Sequence, residues 1–288
     1  MITPYRRLAA LALLAALPAA AQTYNGPESV EAHPRLKRLL VSNTGGGNVL
    51  ARAEDGTLSV FTSDPSSPYG IELLAGTLFV LDSGRVKGYD IDSAAPVMNL
   101  PLTGAAFLNG ITSNGLDTLY VSDFNGRRIY QVGVADLGAP TQVELTSTGT
   151  ATPNGVVYDR DGNRLLIATW GSNAKVLSLD LGTPGATPQT LIQTTLGNID
   201  GIVLDCRGTL FVAAWSGCGT AGGCLRRFDP PFAIDSPAVV VANGLANPAD
   251  IDYDMRTAEI TVPESGGARV SLHPSSCGRS LFIDDFER

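Results

Sequence analysis

The chain of 288 residues is poor in the side chains that most enzymes use for chemistry: it has 2 histidines, 4 cysteines and 3 methionines. With no CxxC pair and so little histidine, the clustered ligands that a zinc centre prefers are missing. No GxSxG elbow occurs. A serine triad, or an arylesterase-like histidine dyad, would have to recruit His33 or His273, both expected to face solvent, His33 in a turn and His273 near a strand end. Positive charge is also short. Lys and Arg number 20 against 28 Asp and Glu, for a net charge of −8, with no dense basic run, which excludes a nucleic-acid partner. No segment carries helix formers at helical spacing, so a helical bundle is excluded.

Long apolar runs are lacking too. Residues 8–18 form the one candidate, shorter than the roughly 20 residues of a spanning helix. Arg6 and Arg7 precede this run and Ala19, Ala20 and Ala21 follow it, the pattern of a signal peptide cut before Gln22. The expectation is a leader at 1–21 and one domain at 22–288, exported to the periplasm or medium, without a membrane span, and a monomer.

What the chain has is turns. Glycine (32) and proline (18) together make about 17 % of the residues, above the roughly 12 % of average proteins. One pattern recurs six times: a short polar or proline-containing opening, an apolar run, a turn and a second apolar run. The central residues of the openings are Glu28, Tyr69, Asn109, Asn154, Asp200 and Ala249, separated by 41, 40, 45, 46 and 49 positions. The fourth unit reads as four strands: 156–159, 165–170, 175–179 and 189–193. Residues 22–288 divided by six give about 44 per unit, the size of a propeller blade. The predicted fold is therefore all-β, a six-bladed β-propeller with four antiparallel strands per blade. The outer strand of the last blade comes from residues 280–284, or the ring is closed by residues 22–26.

Four cysteines in an exported chain point to two disulfides. Of three possible pairings, Cys218–Cys224 closes a local loop of five residues, three of them glycine, and leaves Cys206–Cys277. The propeller topology supports this, because Cys206 and Cys277 fall in turns on one face of adjacent blades.

In a propeller the first strand of each blade lines the central channel, so the six opening residues converge at one end. Glu28, Asn109, Asn154 and Asp200 make an oxygen-rich set suited to a hard divalent cation. Asn-Gly and Asp-Gly are also good turn formers, which accounts for three of the four but not for Glu28. The loops between second and third strands, carrying Asn43, Ser83, Phe124, Trp170, Trp215 and Glu264, are expected around the same mouth. Trp170 and Trp215 occupy equivalent places in consecutive blades, as an aromatic wall over a ligand or as packing between blades.

Pro153-Asn154-Gly155, followed by Val156-Val157-Tyr158-Asp159, and Ile199-Asp200-Gly201, followed by Ile202-Val203-Leu204-Asp205, resemble signature segments of the senescence marker protein, gluconolactonase and luciferin-regenerating enzyme family. The resemblance implies a divalent metal held by Glu28, Asn154 and Asp200, calcium first, with manganese, zinc or magnesium as alternatives. It further implies metal-assisted hydrolysis of a small lactone or ester, Asp200 as general base and Asn109 orienting water or substrate. Two positions depart from the pattern. Ser29 follows Glu28 where the family has glycine, and Phe107 stands where sugar-lactone members carry an arginine. Phe107, Trp170 and Trp215 are thus expected to shape the substrate site. The alternative is a propeller that binds a ligand or protein around a structural ion, without turnover.

Overall fold

The computed structural model describes residues 22–33 and 35–278, so the expected leader and the expected strand at 280–284 lie outside the described residues. The chain forms six antiparallel meanders, each hydrogen-bonded in chain order from an inner to an outer strand. Blade 1 spans 27–62, blade 2 68–101, blade 3 108–147, blade 4 152–193, blade 5 197–245 and blade 6 252–274. Together they are a six-bladed β-propeller. Five blades have four strands and blade 6 has three among the described residues. Residues 22–26 form no strand, so they do not complete the ring as a borrowed strand. One 3-10 turn, Thr44–Gly46, is the only helical element among the described residues.

The second strand of each blade reads as an unbroken apolar run because both of its faces are covered. In Thr77–Asp82 every residue is buried. Leu78 and Val80 pack toward blade 1, whereas Phe79 and Leu81 pack toward blade 3. The core is accordingly a set of seams between neighbouring blades. The seam of blades 2 and 3 holds thirteen buried hydrophobic residues, Leu74 to Val134. The seam where the last blade meets the first holds three, Val30, Leu39 and Val41. At roughly 1.5–3 kcal/mol per buried aliphatic side chain, that closing seam is much the weakest apolar junction among the described residues. Polar links supplement it: Asp250 N donates to Glu28 O at 2.8 Å, Ala32 N to Asp252 Oδ2 at 2.8 Å and Arg256 to Leu36 O at 2.9 Å.

Every inner strand carries one extra residue relative to its neighbour. The register slips between Pro27 and Val30, Pro68 and Ile71, Pro153 and Val156, and Ile199 and Ile202. Leu108 and Ile111 repeat the slip against Asp123 and Val121. In blade 6, Pro248 opposite Glu264 and Asp252 opposite Thr261 do the same. A β-bulge re-aims side chains, and here it turns two successive residues of each blade toward the axis and the next blade.

Candidate functional site

The first bulge residues are Glu28, Tyr69, Asn109, Asn154, Asp200 and Ala249, the six expected around the channel mouth. The second bulge residues are Ser29, Gly70, Gly110, Gly155, Gly201 and Asp250. Four of these are glycine because the next blade's backbone occupies the space of a side chain. A Cβ on Gly110 would sit 2.5 Å from Asn154 O, and one on Gly155 2.5 Å from Asp200 O. Gly70 meets Asn109 O and Gly201 meets Ala249 O in the same way. Ser122 reinforces the ring, accepting from Gly110 N at 2.8 Å and donating to Asn154 O at 2.6 Å. These contacts bring the bulges of separate blades side by side.

Asn154 and Asp200 are 1 % and 2 % exposed, and Oδ1 of each is buried without a hydrogen-bond partner. An unmet buried polar atom costs about 1–3 kcal/mol, so two together point to a partner from outside the chain. Burial, with Glu28 nearby, holds the Asp200 carboxyl well above its usual range. The Trp215 indole and the Asn154 amide work in the opposite direction, although the indole Nε1 closes no hydrogen bond. Glu28 is pushed up to about 8 by burial and by Asp250. It keeps some exposure to the channel, which tempers that shift by solvent screening. Asn109 is buried beside them at 6 % exposure. Among the described residues no three His, Cys, Asp or Glu gather as a metal-holding group, so a cation here depends on the amide oxygens as well as the carboxylates.

The two exceptions to the glycine ring explain each other. Asp250 takes the glycine place of blade 6 and accepts from Ser29 Oγ at 2.9 Å. Ser29 takes it in blade 1, and its Oγ accepts from Ile71 N at 3.2 Å. The hydroxyl thus bridges blades 6, 1 and 2. Asp250 is itself raised, by burial first and also by Asp200, while the Ser29 bond lowers it. Sequence reasoning does not assign this link to Asp250, which stands in Asn247-Pro248-Ala249-Asp250.

It also missed a second acidic tier. Glu31, Glu72 and Asp252 each stand three residues beyond a first bulge residue, in blades 1, 2 and 6. Burial pushes Glu72 up to about 8 and Asp252 to about 6, and raises Glu31 well above its range with help from Asp252 and Glu72. A cavity of about 450 Å³ lined by Glu31, His33 and Asp252 opens at that far end of the channel, away from the bulges. His33 is not solvent-facing, as expected, but 1 % exposed. Its Nδ1 accepts from Arg35 N at 3.1 Å and Leu36 N at 2.9 Å, capping the turn that follows. His273 is only partly exposed and bonded to Ser271 at 3.0 Å.

The rim differs from expectation by one residue in two blades. Asn43 and Glu264 are buried in the register of Asp123. Glu264 accepts from Ala246 N at 2.9 Å and is paired with Arg269, so these side chains anchor the chain entering each blade. Thr44 and Ser265, the following residues, are the counterparts of Phe124, Trp170 and Trp215. Phe107 and Phe124 are in edge contact, ring centroids 5.7 Å apart, and Trp170 and Trp215 at 5.0 Å. Both expected disulfides are present. Cys218–Cys224, with Cα atoms 5.9 Å apart, closes the loop beside Trp215, and Cys206–Cys277, at 6.2 Å, ties blade 5 to blade 6. No helix of the described residues is long and apolar enough to cross a membrane.

Comparison with known proteins agrees with this fold. Residues 132–261 match the model of the SMP-30/Gluconolactonase/LRE-like region. The matched stretch contains Asn154 and Asp200 but neither Glu28 nor Asn109. A gluconolactonase from Xanthomonas campestris superposes with a TM-score of 0.66 at 15 % identity, covering 88 % of this chain and 87 % of that one. A luciferin-regenerating enzyme gives 0.64 at 16 % identity, with 90 % and 89 % covered. A chain of a nidogen–laminin complex gives 0.64 at 16 %, with 83 % and 93 % covered. At such identities the likeness is one of fold, and one fold hosts unrelated functions. No curated protein matches the chain.

Proposed function

We propose, for a chain that carries an SMP-30/gluconolactonase/LRE-like region at residues 132–261, that the channel mouth hydrolyses lactones or related esters with the help of a divalent cation. Glu28, Asn154 and Asp200 would hold the ion, with calcium the first choice and manganese, zinc or magnesium the others. The observation that carries this reading is the pair of unpartnered buried oxygens, Asn154 Oδ1 and Asp200 Oδ1, beside a glutamate raised to about 8. Buried oxygen atoms that close no hydrogen bond, beside carboxylates that repel one another, fit a hard cation.

The cation, when bound, supplies polarisation of the substrate carbonyl and charge stabilisation of the oxyanion that follows. The remaining work falls to the chain. The Asp200 carboxylate takes a proton from the attacking water as general base. The water oxygen bonds to the carbonyl carbon, the ring C–O bond breaks, and the proton held by Asp200 passes to the departing alkoxide. The Asn109 amide orients the water or substrate. Phe107, Trp170 and Trp215 shape the entrance above. Two disulfides suit an oxidising compartment, which supports an exported protein.

The test is a panel of lactones and esters with chelator-treated protein, to which calcium, manganese, zinc or magnesium is returned. The reading expects cation-dependent turnover that Asp200→Ala abolishes while the protein stays folded. Cation binding without turnover anywhere in the panel would instead support the ligand-binding propeller.

A further inference from the structure

We propose that the ligand of this mouth is a lactone or ester bearing a flat apolar substituent, seated on a continuous arc of five aromatic rings. The inference rests on the hydrolase reading of the same site and adds the substrate class. The arc runs Tyr69, Phe107, Phe124, Trp170, Trp215, with successive centroids 4.7, 5.7, 5.8 and 5.0 Å apart and every contact edge-to-face. It spans blades 2 to 5, whereas the counterpart positions of blades 1, 2 and 6 are Thr44, Ser83 and Ser265. One side of the mouth is therefore aromatic and the other hydroxylic.

None of the five rings is fully buried, unlike the aromatics of the seams such as Tyr89, Phe79 and Phe211. Each thus presents surface to the mouth while its edges are held by its neighbours. The arc is also preorganised. The fully buried Asp123 carboxylate accepts from Ala106 N at 3.0 Å, Phe107 N at 2.8 Å and Gly126 N at 2.9 Å, and Phe124 N donates to Phe107 O at 2.8 Å. The main chain carrying Phe107 and Phe124 is thus tied by one side chain and one main-chain bond, so little backbone freedom is lost on binding.

The chemistry of the arc selects against polyhydroxylated and anionic substrates. The arc puts a phenyl ring at 107 beside Asn109 and carries no cationic or hydrogen-bonding side-chain tip at 107 or 124, so a carboxylate turned toward these rings is desolvated without a partner. A hydroxyl turned toward the rings finds no partner there and weakens binding by roughly tenfold. A planar apolar group finds faces and edges to pack on.

The two tryptophans of the chain are Trp170 and Trp215, so their emission reports on the arc directly. Calcium-loaded protein would be titrated with a phenyl-substituted δ-lactam, which water does not open, and separately with gluconolactam. The proposal expects a saturable emission change with the phenyl lactam at a Kd at least tenfold below that of gluconolactam. Phe107→Arg should erase most of that preference, and so should Phe124→Ala, with calcium affinity unchanged in both. Gluconolactam binding as tightly or more tightly, or no response to the phenyl lactam, overturns the proposal. A phenyl lactam that binds to a protein opening no lactone keeps the ligand class and removes the hydrolase reading. Turnover that favours sugar lactones does the reverse.

Discussion

Glu28→Gln should stabilise the cation-free protein at alkaline pH and lose part of that advantage when the cation is bound. The Glu28 carboxyl is raised from 4.5 to about 8, so in the folded protein its ionisation is opposed. A raised carboxyl contributes its full stability below the unfolded value and loses it as pH climbs through the folded one. Wild type without cation should therefore weaken between about pH 4.5 and 8, and the glutamine variant should weaken less, since the raised Asp200, Asp250 and Glu72 carboxyls are common to both. At roughly 1.4 kcal/mol per unit, the gap would reach about 3–5 kcal/mol, reduced to about 2–4 by the exposure of Glu28 to the channel. For a chain of this size that is on the order of 5–10 °C in melting temperature. The assay is thermal unfolding from pH 4 to 9 in chelator and again in excess calcium. With calcium at about 100 times its wild-type Kd, wild type should gain about 2.7 kcal/mol and a variant binding tenfold more weakly about 1.4 kcal/mol, narrowing the gap between them. Parallel melting curves across the whole pH range, or a variant less stable than wild type at pH 8 in chelator, would refute the reasoning.

Gly155→Ala puts a Cβ 2.5 Å from Asp200 O, a backbone atom that cannot swing aside. It should cost about 1–3 kcal/mol in urea unfolding and lower calcium affinity by displacing Asp200. Ser29→Ala, which leaves the buried Asp250 carboxylate without its hydroxyl, should destabilise by about 1–3 kcal/mol, and Ser29→Gly with Asp250→Gly should recover part of that loss in the same assay. Replacing Cys206 and Cys277 by serine opens a loop with 71 positions between its ends and should lower unfolding free energy by about 4 kcal/mol. Replacing Cys218 and Cys224, only 6 positions apart, should cost about half as much and change Trp215 emission.

The blades were legible in the sequence because two periodicities survive in it. Second strands such as Thr77–Asp82 are apolar throughout since both faces meet a neighbouring blade, and the bulges recur because each needs a small residue beside the next backbone. That recurrence located Glu28, Asn109, Asn154 and Asp200 without coordinates. The links across the closing seam were not legible. Ser29 and Asp250 are 221 positions apart, and each looks like a flaw in the repeat until the other is set beside it. The lower tier was readable in principle, since Glu31, Glu72 and Asp252 keep a constant offset from the bulge, but only once the extra residue of the bulge is counted. His33 was misjudged because its burial comes from a turn it caps itself, which residue type and position do not reveal. The rim was misjudged at Asn43 and Glu264 because anchoring and rim residues are adjacent in the chain and differ only in which way the strand end turns.

The cation cradle is tested most directly by calorimetric titration of chelator-stripped protein with calcium, manganese, zinc and magnesium, in buffers of different ionisation heat. One equivalent of at least one ion should bind with release of protons below about pH 8, and Asp200→Asn, Asn154→Ala and Glu28→Gln should each weaken it at least tenfold. Binding of none of the four ions, or binding that all three substitutions leave unchanged, would contradict the account.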